Sequence, residues 1–274
     1  MNRVSTVLKR HIKDLVYFIY RYFPHQTQRA VILMYHSIDA NPLFMTVATN
    51  VFEAQVQYLK TLQFNVVSLD TLAHYIEIKS IPKKTVILTF DDGYQDNYKN
   101  AFPILRKYSI PATIFVTTGD TADKPDPQFK GIKKLSTDEF IAMEKSGLVS
   151  IEPHSVTHPK FTHLQAADME REITSSKQFL DTLLHKNCQH FAYPKGYHNE
   201  MSKTILRRVG IRYGYTVQSG TVSLDSDPYT LSRNSVDALT TYVQFKTIVM
   251  HGKLSTGLFR SLLYPLYTML FRRK

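Results

Sequence analysis

The chain has 274 residues, 43% hydrophobic and 21% charged. This is globular composition with length for a large core, and it excludes a disordered tail or a fibre. The single cysteine, Cys188, excludes an internal disulfide framework and a Cys-rich zinc module, so any metal must be held by histidines and carboxylates. The net charge of +11 sits mostly at the ends: residues 1–30 and 251–274 carry +5 each and the 220 residues between them +1, which argues against a nucleic-acid partner.

The first segment, 1–30, places Val4, Val7, Leu8, Ile12, Leu15, Ile19, Tyr22 and Phe23 at helical spacing beside Arg3, Lys9, Arg10, Lys13 and Arg21. The last, 251–274, reads Leu254, Leu258, Phe259, Leu262, Leu263, Leu266 and Leu270, broken by Pro265 and ending in Arg-Arg-Lys. Neither reaches the roughly 18 uncharged apolar residues of a spanning helix, and the first lacks the apolar run and small-residue site of a signal peptide. Such segments either lie on an anionic membrane face, where each basic residue contributes about 1 kcal/mol, or pack on the body as terminal helices. The membrane reading is preferred. It implies a peripheral protein at the cytoplasmic face of an inner membrane, with an uncleaved anchor facing the periplasm as the alternative.

Between them, 31–250 alternates strand and helix patterns. Val31–Tyr35 reads as a buried strand. Asn50-Val-Phe-Glu53 resembles a capping box opening a helix to about Leu62, and Val66–Val67 a short strand. Ser68 opens a helix to about Ile78, Thr85–Phe90 is a strand, Tyr98–Tyr108 a helix and Thr113–Thr117 a strand. Ser136-Thr-Asp-Glu139 is a second capping box, its helix ending at Gly147. Val149–Ile151, Phe191–Tyr193, Tyr213–Val217 and Leu231–Val236 are strands, with helices over 164–184 and Met201–Val209. This alternation predicts parallel strands with right-handed crossovers, closed into a barrel whose site lies at the carboxyl ends of the strands.

Chemically useful residues fall at those ends. Thr85–Phe90 runs into Asp91-Asp92-Gly93, where a turn brings adjacent carboxylates to one place. Their repulsion is relieved if a metal takes one and leaves the other ionised to accept a proton. Val149–Ile151 leads to His154 and His158, spaced i, i+4 as on one helical turn. Two neutral imidazoles and a carboxylate make an open, zinc-type site. In Phe191-Ala-Tyr-Pro-Lys-Gly196, Pro194 and Gly196 bracket Lys195, whose N–H can serve as an oxyanion donor. Each motif alone also fits an ordinary turn or surface pair.

Together, Thr89-Phe-Asp-Asp-Gly93, His154-Ser-x-x-His158 and Phe191-Ala-Tyr-Pro-x-Gly196 resemble the polysaccharide deacetylase (NodB homology, carbohydrate esterase family 4) superfamily, over about Ile32 to Val236. The resemblance implies an α/β fold, a distorted (β/α)7 TIM-like barrel with terminal amphipathic helices in this chain. It further implies a divalent metal, Zn2+ first, on Asp92, His154 and His158, with Asp91 as base and the Lys195 N–H in the oxyanion hole. Most of the superfamily has Arg where this chain has Ala192, and an aromatic residue where it has Lys195. The Phe-Ala-Tyr-Pro form resembles the poly-N-acetylglucosamine deacetylase branch, where a strand ending in Tyr-His supplies the general acid. That implies His36 of Leu33-Met-Tyr-His36, with His251 of Ile248-Val-Met-His251 as competitor. Arg233 is the candidate to replace the missing Arg and steady Asp91. The expected function is metal-dependent N-deacetylation of an N-acetylhexosamine in a polysaccharide or lipid-linked glycan. The alternative is a catalytically inactive glycan-binding or scaffold barrel.

Overall fold

The computed structural model describes residues 14–15, 28–119 and 133–252, so the amphipathic segments expected at 1–30 and 251–274 lie almost entirely outside the described residues. In chain order the strands are β1 (Arg29–Tyr35), β2 (Ser37–Ile38), β3 (Thr46–Val47), β4 (Asn65–Val66), β5 (Thr85–Asp91), β6 (Ala112–Val116), β7 (Val149–Pro153), β8 (His190–Ala192), β9 (Tyr213–Tyr215), β10 (Val222–Ser223) and β11 (Asn234–Ser235). Parallel ladders join β1 to β5, β5 to β6 and β6 to β7. A second parallel pair, β8 and β9, connects through a Tyr215–Leu231 bridge to the stretch that ends in β11, and β11 returns to β1. These seven staves form the expected α/β architecture, a (β/α)7 barrel. The distortion lies between β7 and β8, where no ladder forms among the described residues. Side chains stitch that seam: Glu152 Oε2 accepts from the His190 N–H at 3.1 Å, and His154 Nδ1–H donates to the Ala192 carbonyl at 2.7 Å.

Alternation along the staves sorts the core into two layers. Ala30, Ile32, Ile87, Phe115, Ala192, Tyr213, Tyr215 and Leu231 cluster inside the ring. Val31, Leu33, Val86, Leu88, Phe90, Ile114, Val116 and Ile151 cluster beneath the outer helices. The inward parity of Ile87 continues to Thr89 and Asp91, and that of Leu231 to Arg233. The stave that excludes water at mid-barrel thus presents polar groups at its mouth.

The helices follow their start signals with one exception. Ser68 Oγ accepts from the Thr71 N–H at the head of Leu69–Glu77, and Ser136 with Glu139 forms a complete capping box for Thr137–Lys145. Asn50 does not open its helix. Thr49–Thr61 starts behind Ala48 without a side-chain cap, and Glu53, expected to close a box, accepts instead from Lys107 and Tyr108. Ala166–Leu184 is the longest described helix, at 19 residues. The late strand expected over Leu231–Val236 is a ladder only at Asn234–Ser235. Among the described residues, no helix is long and apolar enough to cross a membrane.

Candidate active site

β5 delivers Asp91 at its last position, and Asp92 follows in the left-handed region at φ 72°. Gly93 completes the turn at φ 65°, and a Cβ there would stand 3.0 Å from Val116 Cγ1. Glycine is therefore needed both for conformation and for close approach to β6. The turn is pinned from outside: Leu135 N–H donates to Gly93 O at 2.8 Å, and Lys134 Nζ donates to Asp92 O at 2.8 Å while lying 4.3 Å from the Tyr94 ring centroid.

β7 delivers His154, whose N–H extends the β6–β7 pairing to Val116 O. The histidine pair does not share a helical turn. The chain passes Ser155 at φ 70° and reaches His158 at φ 58°, so two left-handed residues, not helical periodicity, bring the imidazoles together. Their ring centroids are 5.0 Å apart. Ser155 Oγ accepts from the His158 N–H, and Glu172 of Ala166–Leu184 accepts from the Val156 and Thr157 N–H groups at 2.9 Å each and from the Thr157 hydroxyl at 2.7 Å. Backbone conformations this rare persist only where surrounding contacts enforce them.

Asp92 Oδ1 lies 3.3 Å from His158 Nε2 and 3.6 Å from His154 Nε2, and the three ligand atoms lie within 4.8 Å of one another. Neighbouring donors at about 2.0–2.2 Å from one ion stand about 3–3.5 Å apart, so the set fits a divalent metal. The Ala192 carbonyl fixes the proton of His154 on Nδ1, leaving Nε2 as the free lone pair facing Asp92. Burial pushes both imidazoles down, His158 to about 4, with the charge of His154 adding to the effect at His158. Burial alone would raise Asp92, but His36, His158, Lys134 and His154 hold it well below the usual carboxylate range. At neutral pH the set is two neutral imidazoles and an ionised carboxylate, which are the protonation states a metal needs.

Asp91 Oδ2 is 4.0 Å from His154 Nε2. Its partner is Arg233, wholly buried, which donates Nη1 to Oδ1 at 2.6 Å and Nη2 to Oδ2 at 2.7 Å, with Nε on Thr216 O at 3.0 Å. Burial would raise the Asp91 pKa, but Arg233, then His154, bring it below the ordinary value. Arg233 is not a surface charge: it comes from a different stave than Ala192 and reaches Asp91 across the barrel interior.

His36 follows β1 directly, half-buried, and its charge is felt at both Asp92 and Asp91. His251 ends the helix Tyr242–His251, and the next residue, Gly252, lies against Gly220 and Thr221 beside the first half of β1. Lys195 sits at φ 56° in the turn after β8, where Gly196 N–H bonds Tyr193 O and Tyr197 N–H bonds Pro194 O. Its side chain is exposed, and its charge reaches His158. Lys134 and Glu172, which brace the two ligand loops, carry no sequence signal, since each reads as a charge on a solvated face.

An α/β barrel that gathers ligand-type side chains and a clamped carboxylate at its strand ends has the arrangement of an enzyme. The sequence model of the polysaccharide deacetylase family matches residues 79–214. The chain is 30% identical over 203 residues to YxkH of Bacillus subtilis (strain 168), which bears a polysaccharide deacetylase name, covering 74% of this chain and 69% of that one. It is 29% identical over 198 residues to the poly-beta-1,6-N-acetyl-D-glucosamine N-deacetylase of Staphylococcus aureus (strain MSSA476), covering 69% and 67%. The solved structure of Streptococcus pyogenes deacetylase PplD in complex with acetate is similar at TM-score 0.71 and 27% identity, over 82% of this chain and 99% of that one. IcaB from Ammonifex degensii shares the fold at TM-score 0.72 and 24% identity, over 82% and 98%. The chain belongs to the polysaccharide deacetylase family.

Proposed function

We propose that the protein is a metal-dependent hydrolase that removes N-acetyl groups from an N-acetylhexosamine of a polysaccharide or lipid-linked glycan precursor. The observation that carries this reading is the convergence of Asp92, His154 and His158 beside an Asp91 gripped by Arg233. The names of the relatives support the substrate class. A purely glycan-binding or scaffold barrel would have no use for a second buried carboxylate kept ionised at the mouth.

Asp92, His154 and His158 would hold the ion, with Zn2+ suited to two imidazoles and one carboxylate. When bound, a divalent metal supplies polarisation of the acetamide carbonyl and a water of lowered pKa. Asp91 takes a proton from the attacking water, its carboxylate held in orientation by Arg233. The Lys195 N–H donates to the carbonyl oxygen as that oxygen gains charge. His36 gives a proton to the amine nitrogen as the C–N bond breaks. Acetate and a free amino sugar leave.

The basic apolar ends at 1–30 and 251–274 support work at an anionic membrane surface, with peripheral attachment at the cytoplasmic face of the inner membrane. A lipid-linked substrate is then favoured over a free oligosaccharide. The domain division is accordingly a catalytic barrel at 31–250 flanked by two attachment segments. Acetate release from lipid-linked and polymeric N-acetylated sugars, together with co-sedimentation of the full chain on anionic and neutral liposomes, tests both parts. Release from neither substrate class removes the enzyme reading. Indifference to anionic liposomes removes the membrane reading alone.

A further inference from the structure

The backbone that carries His36 is held by one short segment after β5. Asp96 Oδ2 accepts from the Ser37 hydroxyl at 2.7 Å, and Asp96 Oδ1 accepts from the Ile38 N–H at 3.0 Å. Asn97 Nδ2 donates to the His36 carbonyl at 2.8 Å and to Asp96 Oδ1 at 2.9 Å. Asn100 Nδ2 donates to the Ile38 carbonyl at 2.8 Å. Thus three side chains bind successive polar groups of His36, Ser37 and Ile38, immediately beyond the end of β1.

Two features set this apart from routine loop packing. Asp96 and Asn97 are both buried, and burying a carboxylate and an amide is costly unless their bonds are used: Asp96 uses both oxygens and Asn97 its Nδ2, while Asn97 Oδ1 has no partner among the described residues. Moreover, Asn97–Ala101 is a π turn that precedes the α-helical run Phe102–Tyr108. Such turns are rare and recur at functional sites. This one begins at Asn97, the residue whose side chain reaches the His36 carbonyl. Asp91 and Asp92 lie only a few residues upstream, so one stretch of chain both ends in the carboxylates and fixes the histidine from another stave.

We infer that Asp96, Asn97 and Asn100 are positioning residues that set the backbone of His36–Ile38 and thereby aim the His36 imidazole at the leaving nitrogen. The inference rests on the reading of His36 as the general acid, and the test separates the two. An amide substrate needs its amine protonated as the C–N bond breaks. An aryl acetate such as 4-nitrophenyl acetate does not, because the phenolate leaves unaided. Loss of the acid, or of its aim, therefore lowers amide turnover selectively, whereas general damage to the fold lowers both.

The experiment measures kcat and KM of metal-loaded full-length protein on an N-acetylglucosamine oligomer and on 4-nitrophenyl acetate, for wild type, His36→Ala, Asn97→Asp, Asp96→Asn and Asn100→Ala. Asn97→Asp keeps the size of the side chain but turns an acceptor toward the His36 carbonyl. It should lower kcat on the oligomer by about 10²-fold with little change in KM or in ester turnover. Asp96→Asn, which retains an acceptor for the Ile38 N–H, should stay nearer to wild type. If Asn97→Asp does not fold, Asn100→Ala at its half-buried position carries the same amide-selective comparison. Amide-selective loss in His36→Ala but not in the Asn variants overturns the positioning role alone. Equal loss on both substrates in His36→Ala overturns the acid assignment, and the positioning role with it.

Discussion

Arg233 grips both oxygens of Asp91 from 142 positions further along the chain, Nη1 to Oδ1 at 2.6 Å and Nη2 to Oδ2 at 2.7 Å, with both side chains buried. A buried, two-point ion pair keeps the carboxylate charged and fixes its plane. Removing one partner leaves the other charged in a dry site. Arg233→Met should lower stability by about 3–5 kcal/mol in chemical denaturation, and the double variant with Asp91→Asn should be less destabilised than the sum of the single variants. Arg233→Lys keeps the charge but not the fork, so kcat should fall while more of the stability is retained.

Metal content should separate ligands from the base. Asp92→Ala, His154→Ala and His158→Ala should each fail to retain a stoichiometric divalent ion after dialysis. Asp91→Asn should keep it, because Asp91 is clamped by Arg233 and stands 4.0 Å from the nearest imidazole nitrogen. Elemental analysis of the dialysed proteins decides this, and ion loss in Asp91→Asn equal to that in Asp92→Ala would contradict the division of roles.

The apoprotein should lose stability as pH falls from about 6.5, the ordinary histidine value, to about 4, the value to which burial brings His158. Across that window the unfolded chain binds a proton that folded His158 does not, so unfolding is favoured as protons are added. His154, also lowered by burial, adds in the same direction. Replacing His158 with Gln should flatten this part of the curve. Urea midpoints measured on apoprotein at intervals between pH 4 and 7 check it; a midpoint that rises on acidification would contradict it.

Glu172 holds the loop between the two histidines through two backbone N–H groups and the Thr157 hydroxyl. Glu172→Ala should therefore weaken metal binding without removing a ligand, by about 10–100-fold in competition with a chelator. Unchanged affinity would reduce Glu172 to an ordinary buried residue.

Gly93 combines φ 65° with a Cβ position 3.0 Å from Val116 Cγ1. Gly93→Ala should cost about 1–3 kcal/mol and shift the turn that carries Asp92. A thermal melt together with metal affinity measures both effects.

The barrel was legible because its staves are apolar runs that stop at charged residues, as Thr85–Phe90 stops at Asp91. Helix starts were legible where a hydroxyl stood before an amphipathic run, as at Ser68 and Ser136. Asn50 misled because a polar residue inside the first turn of a helix resembles one just before it. The spacing of His154 and His158 was informative, but its geometry was not: Asp92, Ser155, His158 and Lys195 adopt left-handed backbone that only tertiary contacts enforce, and none is glycine. Lys134 and Glu172 were invisible for a related reason. A long charged side chain bound to backbone groups of a distant loop has the same local pattern as one facing water. Arg233 was legible only as a candidate, since its partner lies in a stave far away in sequence.

The most direct measurement is acetate release from an N-acetylglucosamine oligomer by wild type and by Asp91→Asn, each as purified, after chelation, and after readdition of Zn2+. The expected result is release by wild type that is lost on chelation and restored by Zn2+, with Asp91→Asn inactive in all three states although it holds one ion per chain as purified and after readdition. Release that survives complete metal removal, or an Asp91→Asn protein that works at the wild-type rate, would contradict the assignment of Asp92, His154, His158 and Asp91.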